Sequence, residues 1–297
     1  LVLWILTLLT IIAIGLTTTQ RTESALAANQ IAGAIFRAQA DAAIQFAALN
    51  LLAQPPLEAG GESLEDLGLW VPDGLPRAWS LGGEALEIRI IDEASLIDLN
   101  LADRGLLLAL FLAVGAEDRD PDSLVDAILD WRDEDDLRLL NGAEDPDYDA
   151  AGRPYGAKDG PFDSVEELQQ ILGFDRELYQ ALAPALTVSS GQASPGAEFA
   201  PPLVRAAVEG ISLEEMRDRL QQEAEVLGDM PGPAGRGGPL YRIQVRWQAP
   251  GGAFRAMEAL VRVQAGGLPP VAVLARRFAI ASEPAGVALV GGLDDGE

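Results

Sequence analysis

Apolar and polar positions divide the chain into regions of different period. The first twenty residues, LVLWILTLLTIIAIGLTTTQ, carry no formal charge before Arg21. A helix of about 20 residues spans the ~30 Å hydrocarbon layer of a bilayer, so this run is expected to be a single-pass membrane anchor. A cleaved signal peptide is the competing reading, with Ala25-Leu26-Ala27 as a small-x-small site. The lack of a basic n-region ahead of the apolar run and the polar stretch 17–24 favour a retained anchor. Beyond it Ile31, Ile35, Ala38, Ala42, Phe46 and Leu49 recur at helical spacing. Nothing breaks the pattern before Pro55-Pro56, so one membrane and amphipathic helix is expected over 1–53.

The period then shortens. Residues 84–91 (EALEIRII) alternate Leu86, Ile88 and Ile90 against Glu87 and Arg89, the signature of a half-buried strand. Residues 240–247 (LYRIQVRW) repeat that pattern, Gly251-Gly252 marks a turn, and 254–263 and 271–280 read as two more strands of an antiparallel meander. Between the early and late strands the pattern is helical, over 102–114, 121–133, 164–172 and 175–182. A further helix is expected over 212–227, with Ser212 and Glu215 as a capping box. The loop 228–238 and the tail 291–297 carry turn-rich, mobile sequence. The division that follows is an N-terminal helix (1–53), a first part of the head (54–99), an inserted helical domain with an acidic loop (100–187) and a second part of the head (188–297). A length of 297 residues agrees with about two domains.

Charge narrows the chemistry. Lys and Arg number 21 against 46 Asp and Glu, a net charge of −25, which repels phosphate backbones and favours cations or basic partners. With no Cys and no His, disulfides, Cys/His zinc sites, Ser-His-Asp and Cys-His nucleophiles and His-ligated haem are excluded. Residues 117–149 hold fourteen acidic residues against three arginines. Carboxylates so packed repel one another, and Ca²⁺, which takes 6 to 8 oxygen ligands, relieves that repulsion while fixing the loop. The alternative is a solvated acidic surface. Asp145-x-Asp147-x-Asp149 begins like an EF-hand, but Ala150 and Gly156 stand where its glycine and bidentate glutamate belong. No pair of carboxylates is singled out for glycoside hydrolysis, and no enzyme is expected. Two phrases, 99–115 and 162–173, are similar to helix-hairpin-helix halves. The hairpin Gly115-Ala116-Glu117-Asp118 would repel phosphate, so a packing role is expected and nucleic-acid binding is not.

The phrases VLWILTLLTIIAIGL, DLNLADRGLL, ILDWRDEDDLRLLNGAEDPDYDAAGRPYGAKDGPFDSVEEL and LYRIQVRW together resemble the K-class minor pseudopilins of type II secretion systems (general secretion pathway protein K). The resemblance implies an α+β fold with a pilin-like long N-terminal helix packed on an antiparallel sheet, and an inserted all-helical domain of SAM-like or helix-hairpin-helix-like type. It implies a protein of the bacterial inner membrane with a periplasmic head, not an enzyme, that starts or caps the pseudopilus fibre. The partners it implies are I-type and J-type minor pseudopilins, the major pseudopilin filament and secreted cargo. It also implies a structural calcium site, with the metal role carried to Asp130, Asp133, Asp135, Glu144 and Asp147; the share of Asp136, Asp145 and Asp149 stays open. K-class members lack the acidic residue near the start of the mature helix, and no acid precedes Glu23. A minor pilin or adhesin of a type IV pilus and a membrane-anchored DNA-uptake protein are the alternative functions.

Overall fold

The computed structural model describes residues 1–53, 70–116, 119–227, 235–248 and 254–279, apart from the side chains of 11–19, Glu84, Ala224, Val226, Leu227 and Ala279. The turn expected at 251–252, the break at 55–61, Glu117 and Asp118 of the hairpin and the tail 291–297 lie outside the described residues, as does most of the loop 228–238.

Helix α1 (Val2–Leu52) is one unbroken helix of 51 residues, about 75 Å long at 1.5 Å per residue. Its C-terminal half lies on a five-stranded sheet. The stripe it buries there is Phe36, Ala40, Ala43, Ile44, Ala47 and Leu51. The expected stripe instead looks outward, with Ile31 61%, Ile35 51% and Leu49 58% exposed. Alanines decide between the two stripes, because small side chains let the helix backbone approach the sheet closely and large ones hold it away. Among the described residues no helix is long and apolar enough to cross a membrane. The expected anchor rests on residues 1–20, and the side chains of 11–19 are outside that description.

The sheet begins with β1 (Arg77–Leu81) and β2 (Glu84–Asp92). They are joined by Gly82-Gly83 at φ 69° and 90°, the left-handed pair that a two-residue hairpin requires. A 3₁₀ turn, Glu93–Ser95, leads to the short strand β3 (Ile97–Asp98). Helices α2 (Arg104–Ala113), α3 (Pro121–Arg132) and α4 (Asp145–Ala150), a 3₁₀ segment Val165–Gln170 and α5 (Arg176–Leu182) follow. The chain returns through β4 (Leu186–Thr187), which pairs parallel with β3. Leu99 N donates to Thr187 O at 2.9 Å, so the entry and exit of the helical insertion are tied together. Then come α6 (Pro202–Glu209) and α7 (Leu213–Leu227), and the strands β5 (Leu240–Gln248), β6 (Phe254–Val263) and β7 (Val271–Ala279). The antiparallel order is β1-β2-β5-β6-β7.

Two cores result. One lies between α1 and the inner sheet face, where Leu86, Ile88, Ile90, Ile243, Val245 and Met257 alternate inward as the period-2 pattern demands. The other fills the insertion around Leu107, Phe111, Ile128, Trp131, Tyr148, Leu168 and Leu178, and it also takes Leu203 and Val204 of α6 and Met216 of α7. The expected Ser212 cap is joined by two others. Asp103 and Asp175 accept from Leu106 N and Leu178 N at 2.8 Å, and Ser212 Oγ accepts from Glu215 N at 3.1 Å.

Candidate metal centre in the helical insertion

The acidic stretch wraps an aromatic floor. Trp131, at the end of α3, stands 5.7 Å from Tyr148 of α4, and Tyr155 closes the trio 5.9 Å from Tyr148. Their burial fixes where α3 ends and α4 begins, and it draws the carboxylates between them off the solvent. Asp130 is fully buried and Glu144 is 3% exposed.

Of the cations at hand, Arg132 and Lys158 are engaged elsewhere and Arg138 reaches only the rim of the cluster. Arg132 points its guanidinium at the backbone oxygens of Leu99 and Ala102, the latter at 2.8 Å. Lys158 pairs with Asp163 and Glu167 at 2.7 and 2.9 Å. Arg138 reaches Asp147 at 3.1 Å. Backbone amides supply part of the compensation: Leu139 N donates to both oxygens of Asp130 at 3.2 Å, and Ala157 N donates to Asp145 Oδ1 at 3.0 Å. These contacts need backbone without a side chain. A Cβ on Gly142 would lie 1.9 Å from Asp130 Oδ2, and one on Gly156 would lie 1.6 Å from Asp145 Oδ1.

What remains is uncompensated negative charge. Burial, with Asp130, Asp159, Asp133 and Asp136 as like-charged neighbours, pushes the Glu144 carboxyl up to about 7. Burial and Asp133 push Asp130 up to about 6. Asp133 and Asp159 are raised as well, chiefly by burial and then by neighbouring acids. Glu144 Oε1 and Asp133 Oδ1 are buried without a hydrogen-bond partner among the described residues, a costly arrangement for carboxylate oxygens. Asp159 also holds a left-handed backbone, φ 52°, rare for a residue with a side chain.

Of the five residues carried over by resemblance, Asp130, Asp133 and Glu144 share one electrostatic neighbourhood. Asp135 lies beside Asp133 but is exposed, and its Oδ1 accepts from Leu137 N at 2.9 Å. Asp147 accepts from Glu144 N at 3.1 Å as the cap of α4 and from Arg138. Asp136 and Asp159 belong to the neighbourhood too. Asp159 lies outside the dense acidic phrases, and only tertiary folding brings it there. No three acidic side chains converge as a closed ligand set among the described residues. The donor chemistry nonetheless suits a hard divalent cation, with carboxylate oxygens only and the buried oxygens of Glu144 and Asp133 without a partner among the described residues.

A long helix laid on an antiparallel sheet, with a helical domain inserted between its strands, defines a pilin-like α+β protein. Residues 94–191 match the family described as type II secretion system (T2SS), protein K. Type II secretion system protein K of Dickeya chrysanthemi is 30% identical over 122 residues, 38% of this chain and 32% of that protein. The Klebsiella pneumoniae protein of the same name is 44% identical over 61 residues, 20% of this chain and 19% of that protein. The chain thus spans about a third or less of the length of the curated relatives it matches. A chain of the crystal structure of the GspK-GspI-GspJ complex from the enterotoxigenic Escherichia coli type 2 secretion system superposes with a TM-score of 0.60 at 18% identity, covering 88% of this chain and 100% of that chain. That likeness is one of fold. Over residues 94–191 the chain is thus similar to protein K of the type II secretion system.

Proposed function

We propose that this chain is a minor pseudopilin at the tip of a type II secretion pseudopilus, where it starts or caps the fibre together with I-type and J-type minor pseudopilins for export of folded proteins. The observation that carries the reading is the division of labour between the two sheet faces. The inner face is covered by α1, whose opposite side leaves Leu26, Ile31, Ile35 and Leu49 exposed, a stripe suited to packing among other long helices. The outer face carries the insertion, held by Arg242 to Glu93 at 2.7 Å and Arg277 to Glu166 at 2.9 Å. A subunit so built joins a helical bundle through α1, while its insertion adds bulk that obstructs a further subunit. Residues 1–20 anchor it in the inner membrane, with the head in the periplasm. The acidic loop takes a structural Ca²⁺, held by Glu144, Asp133 and Asp130 with help from Asp135, Asp136, Asp147 and Asp159. The ion supplies the missing positive charge and cross-links α3, α4 and the loop between them.

The test is co-expression of the full chain with the I-type and J-type proteins of the same system. A stable ternary complex is expected, lost in Ile31→Glu/Ile35→Glu, and so is restored export in a strain lacking protein K. A folded chain that neither forms the complex nor restores export would overturn the reading.

A further inference from the structure

The outer sheet face and the insertion enclose a cleft of about 530 Å³. Four arginines line it, Arg89 of β2, Arg242 and Arg246 of β5 and Arg277 of β7, in a chain of net charge −25. Three of them are neutralised. Arg89 Nε meets Glu87 at 2.8 Å, Arg242 Nε meets Glu93 at 2.7 Å, and Arg277 Nη1 meets Glu166 at 2.9 Å. The acid on β6, Glu258, accepts from Gln244 Nε2 at 2.9 Å.

Arg246 is different. It is half-buried, yet its side chain makes no ion pair or hydrogen bond with any described residue. Glu87 lies opposite it in the strand register but turns its carboxylate to Arg89. Burial, and next the like charge of Arg89, lower the pKa of Arg246 from the ordinary arginine value, and outweigh the opposite pull of Glu87 and Glu258, which act on it from beyond ion-pair distance. Withdrawing a guanidinium from water without a partner is unfavourable. Acids outnumber bases 46 to 21 in this chain, so an internal carboxylate was the easy remedy. A guanidinium without a direct partner in a cleft whose other arginines are all ion-paired is the arrangement expected where the partner arrives from another molecule.

We propose that this cleft binds an acidic peptide segment of a partner polypeptide, seating one Asp or Glu carboxylate on Arg246. The number of free donors fixes the charge of the occupant: one unpaired guanidinium suits one carboxylate, whereas a phosphate or a dicarboxylate calls for several. The size and lining fix the rest. A volume of 530 Å³ exceeds that of one small anion, and Leu75, Ile91, Val165 and Leu260 give it apolar walls for the side chains flanking the acid. The inference stands on the cleft alone and is independent of the pseudopilus reading.

The test titrates the ¹⁵N-labelled full chain with the capped peptide Ac-Leu-Ala-Glu-Ala-Leu-NH₂ and its Gln counterpart, following the arginine Nε–Hε resonances, with succinate as a third probe. Saturable binding of the Glu peptide is expected, about tenfold or more tighter than that of the Gln peptide. Arg246→Met is expected to abolish it, Arg246→Lys to weaken it, and Arg262→Met, on an exposed arginine of β6, to leave it unchanged. Arg246→Met should melt no lower than the parent, since it removes an unpaired cation; a merely structural arginine would not behave so. Equal affinity for the Glu and Gln peptides, undiminished binding by Arg246→Met, or no binding at all would overturn the proposal. So would a fall in melting temperature or a failure to fold in Arg246→Met, and succinate binding as tightly as the peptide would reassign the cleft to a free anion.

Discussion

Arg242 of β5 and Glu93 at the entry of the insertion form a buried ion pair, Nε to Oε1 2.7 Å, with side chains only 16% and 1% exposed. The Thr187 hydroxyl donates to the same carboxylate, and Arg242 Nη2 reaches the Leu186 carbonyl at 3.3 Å. One pair therefore joins the sheet to both ends of the insertion. Removing one member strands the other's charge in a buried site, at a cost of about 3–5 kcal/mol. Arg242→Met is expected to lower unfolding stability by that amount in urea denaturation. The double variant Arg242→Met/Glu93→Leu should lose less than either single change, and strictly additive losses would show that the two residues are not coupled.

Calcium should raise the melting temperature of the chelator-treated chain; an ion at 100 times its Kd adds about 2.7 kcal/mol. Asp133→Ala and Glu144→Ala should lose the effect, and so should Gly142→Ala, whose Cβ falls 1.9 Å from Asp130 Oδ2. Glu144 and Asp130, raised to about 7 and about 6, hold protons at mildly acidic pH that the ion must displace. Affinity should therefore climb as pH rises toward 7 and level off above it. Calorimetric titration at several pH values checks this, and a pH-independent affinity would dissociate these carboxylates from the ion.

Asn100 clips the insertion across 62 residues. Its Oδ1 accepts from Phe162 N at 2.7 Å and its Nδ2 donates to Phe162 O at 3.1 Å. Asn100→Ala leaves both backbone groups unpaired beside a buried ring and should cost about 2 kcal/mol or more. Asn100→Asp keeps one bond and opposes the other, so it should be no better. Chemical denaturation and amide exchange at Phe162 measure both.

Asp92 gives a pH signature. It is 5% exposed and accepts from Ala94 N and Gly238 N at 3.1 Å, yet burial outweighs those bonds and raises its pKa above the ordinary 3.8. A carboxyl raised on folding binds more protons in the native state. Its contribution is complete below 3.8 and is lost as pH rises through the raised value. Asp92→Asn keeps an acceptor oxygen and should show a stability that gains on the parent as pH climbs from 3.8, then runs parallel to it. Melts across that range test the sign, and a gap that narrows would reverse it.

The sequence by itself determined the local pieces. The alternation of residues 84–91 and 240–247 became β2 and β5 with Ile88 and Ile243 inward, and the Ser212 cap opened α7, because strand period and capping depend on neighbours a few positions away. The acidic concentration was equally legible, and so was the pilin-like α+β class with a helical insertion. Contacts between distant residues were decided by the tertiary structure. Which stripe of α1 meets the sheet depends on how closely the two backbones approach, and that favoured Ala40, Ala43 and Ala47 over the larger Ile31 and Ile35. The joining of α6 and α7 to the core of the insertion, the arrival of Asp159 among the acids and the unpaired state of Arg246 follow no period in the chain. They arise where separate segments compete for the same buried space and the same counter-charges, and only the folded arrangement assigns them.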